Sequence, residues 1–349
     1  MKFGYGPITG QVPPGVDLSR ATLYEQSMQL AERAEAASFD SVWVSEHHFT
    51  TDGYLPSPMT MAGGLAARTD DIEVGTALAL APLYEPVRLA EDAAVVDSIA
   101  RGDGTDGRFT LGLGLGYRDV EFEGMGVEKR ERVGHLLDVV DTCRAAWNGD
   151  PLEDGRLVEY PNVTVSPRPT TDVDILIGAM APTALQRAAR IGDGYLVPPS
   201  VTVEELPEKL DIVRSELEKH DRDPSSFPIY VLRYGFAHEA GETAAWETIE
   251  DEYLYLRRKY LEWFNPSDVP ADELEEKLDE QVAEYRETWR EWTICGDAAD
   301  WTEALAPLED AWEGDVTAIL HLRYPGMAFD DAARTVDYIG NEVAPNLRE

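Results

Sequence analysis

Cysteine and lysine are both scarce in this 349-residue chain, and each scarcity excludes something. Only Cys143 and Cys295 occur, far apart and in no C-x-x-C pair, so neither a disulfide framework nor a zinc cluster of paired cysteines is indicated. A reducing cytoplasm is the expected compartment. No run of 18 apolar residues exists, and Met1 to Thr9 lacks a basic region followed by an apolar stretch. The expectation is a protein neither exported nor inserted in a membrane. Internal repeats and low-complexity linkers are also missing, so one domain over residues 1–349 is expected, a length that parallel α/β barrels often reach.

Lysine is confined to Lys2, Lys129, Lys209, Lys219, Lys259 and Lys277, while 67 acidic residues face 30 basic ones for a net charge of -37. The acids are spread along the whole chain, which describes a solvated acidic surface rather than a tail. Such a surface repels nucleic acid and anionic membranes. In about 1 M salt the Debye length falls to roughly 3 Å and the carboxylates stop repelling one another beyond near neighbours, so the pattern reads as adaptation to high salt. The alternative is an acidic surface with no salt requirement. With 43% hydrophobic residues the chain has ample material for a core.

Strand-like and helix-like segments alternate throughout, the pattern of a parallel sheet covered by helices. The predicted strands are Lys2 to Tyr5, Ser41 to Val44, Ile72 to Leu80, Phe109 to Leu113, Asp174 to Ile177, Tyr195 to Val197, Ile229 to Ala237 and Val316 to Leu322. Helical spacing recurs between them. In the helix from about Arg130 to Trp147, Val133, Leu137, Val140, Cys143 and Trp147 share one face, so Cys143 reads as core filler. The run 102–107 reads as an acidic surface connection. From Glu242 to Trp292 the chain is charged and rich in helix formers, which predicts a helical insertion between strands seven and eight. Its aromatics, among them Tyr253, Tyr260, Trp263, Phe264 and Trp289, either pack on the body or face the mouth of a site. Packing is preferred, since aromatics mostly dominate cores. Eight strand and helix units predict a (β/α)8 TIM barrel.

In such a barrel chemistry sits where strands end. Glu46-His47-His48-Phe49 follows strand two, Ala77-Leu78 falls near the end of strand three, Gly112 to Gly116 ends strand four and Gly178 to Thr183 follows strand five. Neighbouring side chains in an extended segment point to opposite faces, so His47 and His48 do not readily chelate one ion, and no metal is expected. One histidine should face the pocket and the other should pack. The glycine run is G-x-G-x-G with Tyr117 where a dinucleotide fingerprint needs a third glycine, which excludes a Rossmann site. Those glycines admit either a flat ring against the backbone or close packing of the strand top. Gly178 to Thr183 opens a helix that either holds a phosphate on its amides or is ordinarily capped.

Together, Phe3-Gly4, Trp43 through Phe49, Val74-Gly75-Thr76-Ala77, Pro86 through Asp92, Gly107-Arg108-Phe109, Glu121-Phe122 with Gly124-Met125-Gly126, and Ala188 through Gly194 resemble the bacterial-luciferase-like flavin-dependent monooxygenases in order and spacing. The resemblance spans nearly the whole chain. It implies a reduced flavin over the C-terminal rim, His47 as acid/base beside the reacting edge of the ring, Glu46 orienting His47 or a neighbour, and a non-proline cis peptide at Ala77-Leu78 beneath the flavin. Flavin contacts are implied at Ala77, Leu78, Gly114 and Gly116, with phosphate near Ala179, Met180, Ala181 and Thr183. Gly114 and Leu115 depart from the light-emitting luciferases, which carry a cysteine and a phosphate-binding arginine there, so phosphate anchoring must differ.

The activity implied is two-component monooxygenation, in which a separate flavin reductase supplies reduced FMN and oxygen is delivered to a small organic substrate. His321 and Arg323, at the end of strand eight, are candidates to meet that substrate. Two alternatives stand beside it: hydride transfer from a reduced deazaflavin without oxygen, and a non-catalytic flavin-binding subunit. A homodimer or higher homo-oligomer is the assembly usual for such barrels.

Overall fold

The computed structural model describes residues 1–101, 107–265 and 270–348. In chain order, β1 (Lys2–Ile8) leads through α1 (Arg20–Ala36) to β2 (Ser41–Val44), α2 (Pro58–Arg68) and β3 (Glu73–Thr76). Two residues on, the third strand resumes as β4 (Ala79–Leu80), and then come α3 (Pro86–Arg101), β5 (Phe109–Gly114), the short α4 (Asp119–Met125) and α5 (Arg132–Asn148). The series continues with β6 (Ile175–Gly178), α6 (Pro182–Ile191), β7 (Gly194–Val197), α7 (Leu206–Lys219) and β8 (Ile229–Ala237). Between β8 and the last barrel strand lie α8 (Glu242–Phe264), α9 (Ala271–Trp292), β9 (Ile294–Gly296) and α10 (Ala298–Glu309). The chain ends on β10 (Val316–His321) and α11 (Phe329–Tyr338).

All strand pairings are parallel. They run β1, β2, β3, β5, β6, β7, β8, β10 and back to β1, where Tyr5 pairs with Leu320. This is a closed (β/α)8 barrel. Parallel strands buried on both faces need apolar residues at successive positions, and Val42-Trp43-Val44 and Ile175-Leu176-Ile177 supply them. Alternation along the strands divides the core in two. Trp43, Leu176, Leu196, Tyr230, Leu232 and Ile319 form a small inner cluster, while Val42, Val44, Ile175 and Ile177 join the larger layer beneath the helices. The inner space is narrow. A Cβ on Gly75 would stand 2.2 Å from the Trp43 ring, so only glycine leaves room for the indole.

The eight barrel strands fall where the alternation predicts them, with two differences. The third strand is not continuous, because a cis peptide at Ala77-Leu78 separates β3 from β4. The segment before strand eight also holds more than a helical insertion: β9 pairs with the end of β8, and α10 begins on a capping box at Asp297 with Asp300. Cys143 is fully buried and Cys295 is buried, both unpaired. The acidic connection read at 102–106 lies outside the described residues. Among the described residues no helix is long and apolar enough to cross a membrane.

Candidate active site

The end of β2 sends its two histidines in opposite directions. His47 is buried with its Nδ1 2.9 Å from Glu121 Oε1, while His48 Nε2 lies 2.7 Å from Glu46 Oε1. Glu46 therefore orients His48 and not His47. Its other oxygen accepts the Leu80 amide at 2.7 Å, and the Tyr84 hydroxyl donates to Oε1 at 3.0 Å, which ties the end of β2 to the resumed third strand. His48 faces a groove lined by Met59, Tyr84 and Val95 of the α2–α3 region.

The carboxylate that holds His47 is one that local pattern does not reveal. Glu121 lies in the first turn of α4, 74 residues away, and is fully buried. Its Oε1 also accepts the His48 amide at 2.9 Å and Arg118 Nη1 at 2.9 Å. Arg118 and Glu121 are three residues apart, a spacing that puts them on one helical face. Burial opposes the charge on Glu121, but the hydrogen bond and charge of His47, the His48 amide and Arg118 outweigh it and hold the carboxyl below its ordinary value.

Aromatic rings wall the other sides of His47. Trp263 lies 4.7 Å from it between centroids, Tyr54 4.8 Å, Tyr117 5.6 Å and Tyr260 6.3 Å. The Arg118 guanidinium sits 4.6 Å over the Trp263 ring. Tyr260 and Trp263 come from the last turns of α8; they pack against the core, as expected, and at the same time wall His47. Tyr253 and Trp289 pack into the core. The phenols of Tyr54, Tyr117 and Tyr260 are all pushed above the ordinary tyrosine range by burial, which keeps them as neutral donors.

At the neighbouring strand ends, Leu78 lies over three glycines. A Cβ on Gly178 would stand 2.2 Å from Leu78 Cδ1, one on Gly114 3.1 Å from the same atom, and one on Gly112 3.1 Å from Cδ2. The glycines at this level accommodate a side chain of their own chain. Gly116 has φ +67°, a left-handed conformation that favours glycine. At the start of α6, Ala179 is buried, its carbonyl accepting from the Tyr195 hydroxyl, while Met180, Ala181 and Thr183 are exposed. Among the described residues the Thr183 hydroxyl and Arg187 have no partner, and Arg132 reaches only the Gly116 carbonyl, at 3.3 Å. Burial first, then Arg190 and Arg132, hold Arg187 below the ordinary arginine range.

The two candidates at the end of strand eight part company. His321 stacks on Tyr324 at 5.2 Å, lies 5.3 Å from Tyr234 and donates from Nε2 to the Arg323 carbonyl at 2.9 Å. Burial lowers its pKa to about 4, so it is neutral. Arg323 instead turns to Gln26 of α1 and lines a small cavity between the ends of β1 and α1, apart from the group around His47.

A family model for luciferase-like monooxygenases matches residues 8–319. The chain belongs to the luciferase-like monooxygenase family. Among curated proteins, the oxygenase component of a flavin-dependent trigonelline monooxygenase of Acinetobacter baylyi is 25% identical over 94% of this chain and 91% of its own length. An F420-dependent glucose-6-phosphate dehydrogenase of Amycolatopsis mediterranei is 26% identical over 92% of this chain and 94% of its own. Among solved structures, monooxygenase RslO1 from Streptomyces bottropensis superposes with a TM-score of 0.81 at 23% identity, covering 99% of this chain and all of that one. Relatives of this chain thus include both a flavin-dependent monooxygenase component and an F420-dependent dehydrogenase. The cis peptide at Ala77-Leu78 stands where the resemblance implies it.

Proposed function

We propose that the chain is the oxygenase of a two-component monooxygenase, using reduced FMN from a separate reductase and molecular oxygen on a small organic substrate, with His47 as the acid/base. The observation that carries this is His47 itself: buried at a barrel strand end, braced by a carboxylate on one nitrogen, with no partner among the described residues on the other, and walled by aromatic rings. In a (β/α)8 barrel that is where chemistry is done.

When bound, the flavin supplies the redox chemistry. The chain contributes its site. The backbone at Ala77, Leu78, Gly114 and Gly116 would carry the ring, and Ala179 to Thr183 the phosphate. The Thr183 hydroxyl and the arginines Arg132 and Arg187, which have no carboxylate partner among the described residues in a chain of net charge -37, suit an anionic group there. Tyr54, Tyr260 and Trp263 would exclude water, and Nε2 of His47 would hold or release a proton. His321, neutral and tied to the Arg323 carbonyl, would shape the mouth, while Arg323 would act only through Gln26 and α1. The deazaflavin-dependent relative supports a second reading, hydride transfer without oxygen. The cytoplasm, adaptation to salt, a single domain and a homo-oligomer belong to the same proposal.

Anaerobic titration with FMN and with a deazaflavin, followed by oxygen uptake with peroxide release monitored, separates the readings. His47→Ala should lower turnover by about a hundredfold to ten-thousandfold with flavin affinity kept. His48→Ala should mainly lower stability, by about 1–3 kcal/mol, since Glu46 loses one of its buried donors. Normal, tightly coupled turnover in His47→Ala would remove the acid/base role.

A further inference from the structure

Glu121 concentrates three donors on one oxygen. Its Oε1 takes His47 Nδ1, the His48 amide and Arg118 Nη1, each at 2.9 Å, while its Oε2 is buried with no partner among the described residues. Such a carboxylate can only accept, so the hydrogen shared with His47 belongs to the imidazole. Arg118 cannot drift, because Nη1 also donates to the His48 carbonyl and its guanidinium is trapped over Trp263, the ring that closes on His47.

We infer that Glu121 is a positioning residue: together with Arg118 it fixes neutral His47 as the tautomer protonated on Nδ1, and so presents Nε2 as the one ring atom able to exchange a proton in the aromatic-walled mouth. The inference rests on the acid/base reading for its functional meaning but not for its geometry. A histidine's second nitrogen sets the tautomer of the first, and here that second partner comes from a different βα loop. The ring is thus locked to the barrel twice, through β2 and through α4. The other titratable groups on His47 are the phenols of Tyr54, Tyr117 and Tyr260. With burial pushing all three upward, none titrates near neutral pH.

The test is the ¹⁵N spectrum of the full-length protein labelled on its histidines, with His47 assigned by its loss in His47→Gln. In the neutral imidazole of the wild type Nδ1 should be protonated and Nε2 bare. A protonated Nε2 would overturn the inference, and this measurement needs no variant that must fold. In Glu121→Gln the carboxylate charge is lost and the carboxamide can donate as well as accept. The fixed tautomer should therefore give way to a mixture. In the same variant kcat should fall by about a hundredfold or more with flavin affinity unchanged. Glu121→Asp should restore part of the loss. If Glu121→Gln lowers only the melting temperature and leaves the tautomer where it was, Glu121 is merely structural and the inference is wrong. If the tautomer behaves as stated but His47→Ala turns over normally, the positioning stands and the acid/base reading falls.

Discussion

Leu78 and the glycines beneath it allow a quantitative test of how the floor of the mouth is built. A methyl at Gly112 would meet the Thr76 carbonyl oxygen at 2.0 Å, and that backbone is fixed by reciprocal bonds between Thr76 Oγ1 and the Gly112 carbonyl and amide. At Gly178 the new methyl meets only the far end of Leu78, at 2.2 Å, and at Gly114 the same end at 3.1 Å. Overpacking a tight interior typically costs about 1–3 kcal/mol. Gly112→Ala should therefore lie at or above that range, Gly178→Ala at about 1–2 kcal/mol, and Gly114→Ala below 1 kcal/mol, by the same reasoning. Leu78→Ala should cost about 2 kcal/mol, the low end for a leucine truncation, because Leu78 is only half-buried. The combination of Gly178→Ala with Leu78→Ala is the decisive one: the truncated side chain no longer reaches the new methyl, so the pair should cost about 1 kcal/mol less than the sum of the single variants. Urea unfolding at constant molar KCl measures the five variants against the wild type. Additivity within about 0.3–0.5 kcal/mol would show that Leu78 and Gly178 do not share the space assigned to them.

Two further expectations concern solution conditions. The carboxylate surplus predicts a fold stable in molar KCl and loosened in dilute buffer; circular dichroism melts across a salt series check it, and an unchanged midpoint would remove the high-salt reading while leaving the enzyme reading intact. His321 is neutral in the fold, its pKa lowered to about 4 by burial, whereas an unfolded histidine titrates near 6.5. Its contribution is therefore complete above about pH 6.5 and is lost as pH falls toward 4, up to about 3 kcal/mol. His321→Gln should flatten the acid limb of stability between those values, and equal slopes in the two proteins would refute the assignment.

The strand and helix alternation was readable because buried parallel strands need continuous apolar runs and the helices between them show a 3.6-residue repeat. Cys143 could be placed for the same reason. Glu121 stood out only as part of the Glu121-Phe122 pattern of the resemblance and not as a partner of His47, since the two lie 74 residues apart in different βα loops and nothing local marks one buried carboxylate among 67 acidic residues. The break in strand three is invisible to hydropathy, because Ala77 and Leu78 continue the apolar run across the cis peptide. Tyr260 and Trp263 were seen as aromatics of an insertion, but which of them line the mouth depends on how α8 lies across the barrel, a tertiary choice that composition does not record. β9 and α10 were lost because three residues of strand and a short helix carry too little period to stand out beside α9.

Both native thiols are sealed. Cys143 is fully enclosed and Cys295 nearly so, and burial pushes the Cys295 thiol up to about 12 and Cys143 higher still, so neither offers a reactive thiolate at neutral pH. The folded chain is in that sense a spectroscopic blank. A single cysteine placed at Phe264, which is 70% exposed and stacks on Tyr117 beside His47, would carry a fluorophore or spin label to the edge of the mouth with no background from the rest of the protein.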